Sequence, residues 1–133
     1  MADATAPHPA FGLAAIGQIG ITAHDLDRAV AYYRDVLGLR VLFRAGNLAF
    51  FDCAGIRLML SLPERPEFAH PASILYYRVD DLAAAHAALR ERGAAFIDEP
   101  HLIARMPDHE LWMAFLHDSE GNTLGLMSEV RPA

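Results

Sequence analysis

The sequence predicts an α+β fold in which the order βαβββ occurs twice, with helices on one side of a largely antiparallel sheet. Three observations carry that expectation. Asp25-Leu26-Asp27-Arg28-Ala29 opens an apolar helical stretch that closes at Gly38, and Asp81-Leu82-Ala83-Ala84-Ala85 opens another that closes at Gly93. Each is flanked by short stretches with the period-two alternation of strands. A near-repeat of this kind means two copies of one supersecondary unit, neither able to bury its core alone. What stands at equivalent positions in the two copies is therefore the functional question.

Module one is expected over residues 15–62. Its first strand runs from Ala15 to Ala23 and leads to Asp25, a good helix N-cap. Leu26, Val30, Tyr33 and Leu37 recur on one helical face, and Gly38 suits the C′ position. Strands follow at Leu39 to Arg44, Leu48 to Cys53 and Ile56 to Leu62, separated by the turn signals Gly46-Asn47 and Ala54-Gly55. Pro63 to Pro71 is a proline-rich link. Module two, over 72–129, reads as a strand from Ile74 to Val79, a helix from Leu82 to about Arg92, and strands over 95–97, 101–106, 111–117 and 123–127. Residues 1–14 read as a flexible arm and 130–133 as a tail.

A length of 133 residues suits one domain, and a hydrophobic fraction of 53% suits a packed globule. The net charge of −6 is spread along the chain and argues against nucleic acid, which needs a basic face. No apolar run reaches the roughly 18 residues of a membrane helix, and the N-terminus lacks the charged-then-apolar order of a secretion signal. Cys53 is the single cysteine, which excludes an intrachain disulfide and fits a reducing, cytoplasmic setting. All 11 basic residues are arginine, so a lysine Schiff base and a P-loop lysine are excluded.

Alternation gives four strands an aliphatic face, suited to the helices, and a mixed face. The mixed face holds Gln18, Thr22, Arg57, Met59, Tyr76, Arg78, Thr123 and Met127. Two readings stand: an open, solvated sheet, or the wall of a ligand cavity whose polar groups need partners. Arg57 and Arg78, one from each module, would grip a carboxylate or phosphate if they point inward and are structural if they pair with acids at the rim. Trp112 is either core or pocket wall.

Most histidines have ordinary explanations: His8 in the arm, His70 in the link, His86 on the second helix. His109-Glu110 begins like a zinc-protease motif, but Met113 stands where the second ligand belongs. His101, His109, Glu110 and His117 lie together in the stretch that differs most from module one. They read either as exposed loop residues or as a displaced site, and His101, Glu110 and Tyr76 are the candidates for acid–base work.

The run Ile19-Gly20-Ile21-Thr22 into Asp25-Leu26-Asp27-Arg28-Ala29, then Tyr32-Tyr33-Arg34-Asp35-Val36-Leu37-Gly38-Leu39, with Val79-Asp80-Asp81-Leu82 and Asp118-Ser119-Glu120-Gly121-Asn122, resembles the vicinal oxygen chelate superfamily. That family includes glyoxalase I, extradiol dioxygenases, methylmalonyl-CoA epimerase, fosfomycin-resistance enzymes and bleomycin-resistance proteins. The resemblance covers about residues 15 to 129. It implies two βαβββ modules forming a partly open barrel around a cavity, a homodimer, and a divalent metal held by His, Gln or Glu from four strands. The implied ligand positions fall on Gln18 and Ile74, seven residues before Asp25 and Asp81, and on Met59 and Gly125, four after Gly55 and Gly121.

A catalytic divalent site normally takes about three protein ligands, several of them imidazole or carboxylate. Ile, Met and Gly are not such donors, and Gln offers only a neutral carbonyl. The expectation is therefore a small organic ligand bound in the cavity without a metal, either sequestered or processed, with Gln18, Arg57, Met59, Tyr76, Arg78 and Trp112 as contacts. One alternative is a metal-dependent lyase or isomerase of the glyoxalase or epimerase kind, its ligands displaced to His101, His109, Glu110 or His117. Another is a non-catalytic interaction domain. Extradiol dioxygenase chemistry is the least suited, since its iron needs a His/His/carboxylate set.

Overall fold

The computed structural model describes residues 10–71 and 73–132. Residues 1–9 of the expected arm, with His8, lie outside them, as does Ala133. Residues 10–17 form no helix or strand.

Module one runs β1 (Gln18–Thr22), α1 (Leu26–Ala31), β2 (Arg40–Ala45), β3 (Leu48–Cys53) and β4 (Ile56–Ser61). Module two runs β5 (Leu75–Arg78), α2 (Leu82–Glu91), β6 (Ala95–Phe96), β7 (His101–Arg105), β8 (Glu110–His117) and β9 (Thr123–Val130). Both helices start as their sequences dictate. The Asp25 carboxylate accepts from the Arg28 amide at 3.1 Å, and Asp81 accepts from the Ala84 amide at 3.0 Å, each satisfying a donor the helix leaves free.

The helix of module one does not stay α-helical to its end. From Tyr32 to Val36 it is a π-helical turn, and the Leu37 amide donates to the Tyr32 carbonyl at 3.0 Å, five residues back. Gly38 then takes φ +78°, a left-handed conformation that a side chain disfavours. The expected helix is present as one continuous element, but its second half is wound more loosely.

The four strands of sheet A are ordered β1-β4-β3-β2, with β1 parallel to β4 and the other pairs antiparallel. Sheet B repeats this as β5-β9-β8, with β5 parallel to β9. Its outer edge is split: β6 lies against Leu116 and His117 of β8, and β7 against the stretch from Glu110 to Met113. Strand β9 extends past the expected end at Met127 because β8 begins at Glu110, which pairs with Val130. Strand β5 begins one residue later than expected, so Ile74 precedes it and is exposed.

Each helix covers the aliphatic face of its own sheet. Ala29, Val30 and Tyr33 pack with Ile21, Phe51, Leu58 and Leu60; Leu82 and Leu89 pack with Ala114, Leu116, Leu124 and Leu126. Leu37 and Tyr77 touch both clusters, so the two cores adjoin behind the sheets. Full burial of one such aliphatic side chain is worth about 1.5–3 kcal/mol.

The β8–β9 turn ties the modules. Glu120, with no exposed side-chain surface, accepts from the amides of His24 and Asp25 at 2.7 and 2.9 Å and from Arg28 Nε at 2.8 Å. Burial alone would raise its pKa, but the Arg28 guanidinium and the two amides outweigh that and hold it down at about 2. Beside it the Tyr33 hydroxyl donates to Asp118 Oδ2 at 2.7 Å, and Asn122 Nδ2 donates to the Thr22 carbonyl at 3.0 Å.

Candidate functional site

On the side of sheet A away from α1, the register of β1 and β4 sets Gln18 opposite Arg57 and Gly20 opposite Met59. The consequence is a small connected group. Arg57 Nε donates to Gln18 Oε1 at 2.9 Å, Gln18 Nε2 lies 3.4 Å from the Met59 sulfur, and the Arg57 guanidinium sits 5.3 Å above the Phe50 ring. Phe50 stacks in turn on Phe43, with ring centroids 4.5 Å apart. No carboxylate lies within ion-pair distance of Arg57 among the described residues. Gln18 thus engages the arginine through its carbonyl and the thioether through its amide.

Next to this group is a cavity of about 410 Å³. Gly20, Met59 and Leu48 form its floor, and residues 61–70 fold over it, with Leu62, Pro63 and Phe68 as the apolar wall. Thr22, Ser61, Glu64 and His70 supply its polar groups. The link is fastened to β1 by the Thr22 hydroxyl, which lies 3.4 Å from the Phe68 carbonyl and 3.3 Å from that of His70. The proline-rich segment is therefore a wall of the cavity and not merely a connector. Pro66 starts the 3-10 turn Pro66–Phe68 that brings the Phe68 ring over. Glu64 and His70 are an acid and an imidazole on this wall; the sequence places His70 only in the link and gives no signal for Glu64, and it is Thr22, on the mixed face and paired with Ser61, that fastens the link here.

The corresponding face of sheet B is occupied differently. Tyr76 pairs in register with Gly125 and lays its ring over it, edge-on to Phe115 with centroids 5.8 Å apart. A Cβ at Gly125 would fall 2.7 Å from Tyr76 Cδ2, so only glycine fits beneath the ring. Arg78 is exposed, opposite Met127. Trp112 lies on the other side, in line with Ala114 and Leu116, packed on the module-two core with its Nε1 donating to Glu110 Oε1 at 3.1 Å.

The four positions implied for a metal thus hold an amide and a thioether side by side (Gln18, Met59), an exposed Ile74 ahead of its strand, and a Gly125 roofed by a tyrosine. That donor set does not fit a hard or borderline divalent cation. The histidine group does not converge either. His117 stands at one end of β8 and Glu110 at the other, a strand length of roughly 23 Å at about 3.3 Å per residue. His101 Nδ1 faces the Glu99 carbonyl at 2.9 Å; His109 sits 2.8 Å from Asp108 and 3.8 Å from Glu129; Glu110 meets Arg105 at 3.2 Å. Among the described residues no three His, Cys, Asp or Glu side chains gather closely enough to hold a metal ion. Cys53 is held protonated, its pKa raised by burial and by Asp52, and so is no ready nucleophile.

The model of the Glyoxalase/Bleomycin resistance protein/Dioxygenase superfamily matches residues 15–126, across both modules and the link. The chain belongs to that superfamily. Solved structures with the same fold include a glyoxalase/bleomycin resistance protein/dioxygenase from Alicyclobacillus acidocaldarius, 22% identical, covering 86% of this chain and 91% of that one at a TM-score of 0.69. A lactoylglutathione lyase from Agrobacterium tumefaciens is 24% identical over 87% of this chain and 94% of its own, with a TM-score of 0.67. A third, from Nocardioides, is 21% identical and covers 98% of this chain and 91% of its own, again at 0.67. Identities at this level establish the superfamily fold, which carries several unrelated chemistries. No described helix is long and apolar enough to cross a membrane.

Proposed function

We propose that this superfamily member binds a small, largely apolar organic molecule in the cavity between sheet A and residues 61–70, without the divalent metal of the metalloenzymes in its family. The observation that carries this is the pairing of Gln18 with Met59 at the implied metal positions, beside a cavity walled by Leu48, Leu62 and Phe68. A thioether and an amide are poor cation ligands but good neighbours for an aromatic or aliphatic body with a hydrogen-bonding group. Ser61, Thr22 and His70 would orient such a molecule, and Glu64 at the rim favours a neutral or cationic one. Arg57, engaged by Gln18 and Phe50, acts here as a positioning residue for Gln18. A cytoplasmic homodimer goes with this reading; light scattering checks the pairing.

The test has two arms. Untagged protein is incubated with Mn, Fe, Ni, Co and Zn, desalted and measured by mass spectrometry, with near-zero occupancy expected. N-phenyl-1-naphthylamine, a neutral fluorescent probe, is then titrated into the full chain; saturable binding that Ser61→Phe abolishes is expected. Stoichiometric retention of one metal, lost on His101→Ala or Glu110→Ala, would replace this reading with a metal-dependent lyase or isomerase.

A further inference from the structure

A second cavity, of about 240 Å³, lies behind sheet B, between the sheet, α2 and the chain that leaves the π-helical turn. Its floor is the leucine face of the sheet, with Leu116 and Leu124, and Leu37 of module one closes a side. Along α2 the lining includes the small side chains of Ala85 and Ala88, which leave room between the helix and the sheet, with Leu89 beside them. The lining is mostly aliphatic, with Tyr77 at one side, and such surfaces take apolar guests; since a cavity of about 150 Å³ accepts benzene, this one has room for a body of roughly seven to nine carbons.

One charged side chain lines it. Arg92, the residue that caps α2, is exposed at the edge of the space, and its Nη1 donates to the Val36 carbonyl at 3.1 Å. That bond fixes the guanidinium and leaves its other donors unspent. No carboxylate lies within ion-pair distance of it among the described residues. A fixed cation at the rim of a largely apolar space matches an amphiphile with one anionic head.

We propose that this cavity is a second binding site, separate from the one beside sheet A, for small monocarboxylic acids with an aliphatic or aromatic body. The carboxylate lies on Arg92 and the body among the leucines.

Octanoate is the probe, titrated into the full chain by calorimetry and by thermal unfolding, with 1-octanol as the uncharged control. Expected are 1:1 binding with a Kd below about 1 mM and a melting temperature that rises with octanoate concentration. Arg92→Gln should weaken octanoate about tenfold while leaving 1-octanol unchanged. Ala88→Leu, which fills the space, should abolish both. Absence of saturable binding up to about 10 mM overturns the proposal. So does binding that survives Ala88→Leu, or binding lost on Ser61→Phe instead. If Ala88→Leu does not fold, methyl NMR decides: octanoate-induced shifts at Leu116 and Leu124 support the site, and shifts confined to Leu48 and Leu62 overturn it.

Discussion

Module one and module two share strand order, helix capping and the placement of their parallel pairs, yet differ at the positions of the proposed site. Sheet A carries Gln18 and Met59 beside an open cavity. Sheet B carries Gly125 in the place of Met59 and covers it with Tyr76. The second difference is in the turn after the third strand. In module one it is the bare Ala54-Gly55; in module two it is the loop from Asp118 to Asn122, whose Glu120 reaches across to the start of α1. The repeat accounts for the fold, and the departures from it account for the cavity beside sheet A and for the joint between the halves.

The strongest way to break the comparison is at that joint. Glu120→Gln removes a charge that donors from four residues share and should cost roughly 3 kcal/mol in denaturant unfolding. Asp52→Asn should cost far less, since its carboxylate at the end of β3 accepts, among the described residues, only the Gly55 amide of the plain turn. The pH dependence follows from the same carboxylate. Its folded pKa lies below its ordinary 4.5, so the stability it contributes is present above pH 4.5 and is lost as pH falls toward about 2. The acid limb of the stability profile should flatten in Glu120→Gln.

Next in size is Gly125→Ala, which drives a methyl into the Tyr76 ring and should cost about 1–3 kcal/mol. Combining it with Tyr76→Ala should recover most of that loss, and a double-mutant cycle measures the coupling. Tyr33→Phe removes one hydrogen bond to Asp118, which keeps Asn122 and two amides, and should cost about 1–2 kcal/mol. The smallest effect on stability belongs to the proposed site. Gln18→Ala should change unfolding by about 0.5 kcal/mol or less, since the residue is exposed, while lowering affinity for the fluorescent probe. A large stability loss there would make Gln18 a structural residue and the site reading untenable.

The architecture was legible because local rules and global fold agree. Asp25 and Asp81 cap as their type demands, and the leucines at 58 and 60 alternate with Arg57 and Met59 as a half-buried strand requires. The departures involve forces that no local pattern expresses. Tyr32–Val36 has the side-chain spacing of an α-helix, and the shift to π-winding shows only in the backbone hydrogen bonds. Trp112 was ambiguous because an eight-residue strand with apolar residues on both faces has no parity signal; only Ala114 and Leu116 beside α2 decide its side. His86 reads as an ordinary helical residue, yet it is buried with its ring tilted against Phe96, the centroids 4.2 Å apart. The segment from Pro63 to Pro71 hid its role for a different reason. Prolines announce a break in regular structure, but which surface the break lies against depends on Thr22, far away in the chain.

The reach of Glu120 to α1 also sets an order of events. The amides it closes belong to His24 and Asp25, 96 and 95 positions earlier, so the first helix is seated by a side chain translated long after it. Contacts this distant in sequence are slow to form and raise the contact order that governs folding rate. Until the last turn emerges, the first module has its strands and its Asp25 cap but lacks the anion that grips its helix, and a ribosome-held fragment ending before Asp118 exposes that unfinished edge to other chains. The loop that must close to complete the first half of the protein spans most of the second.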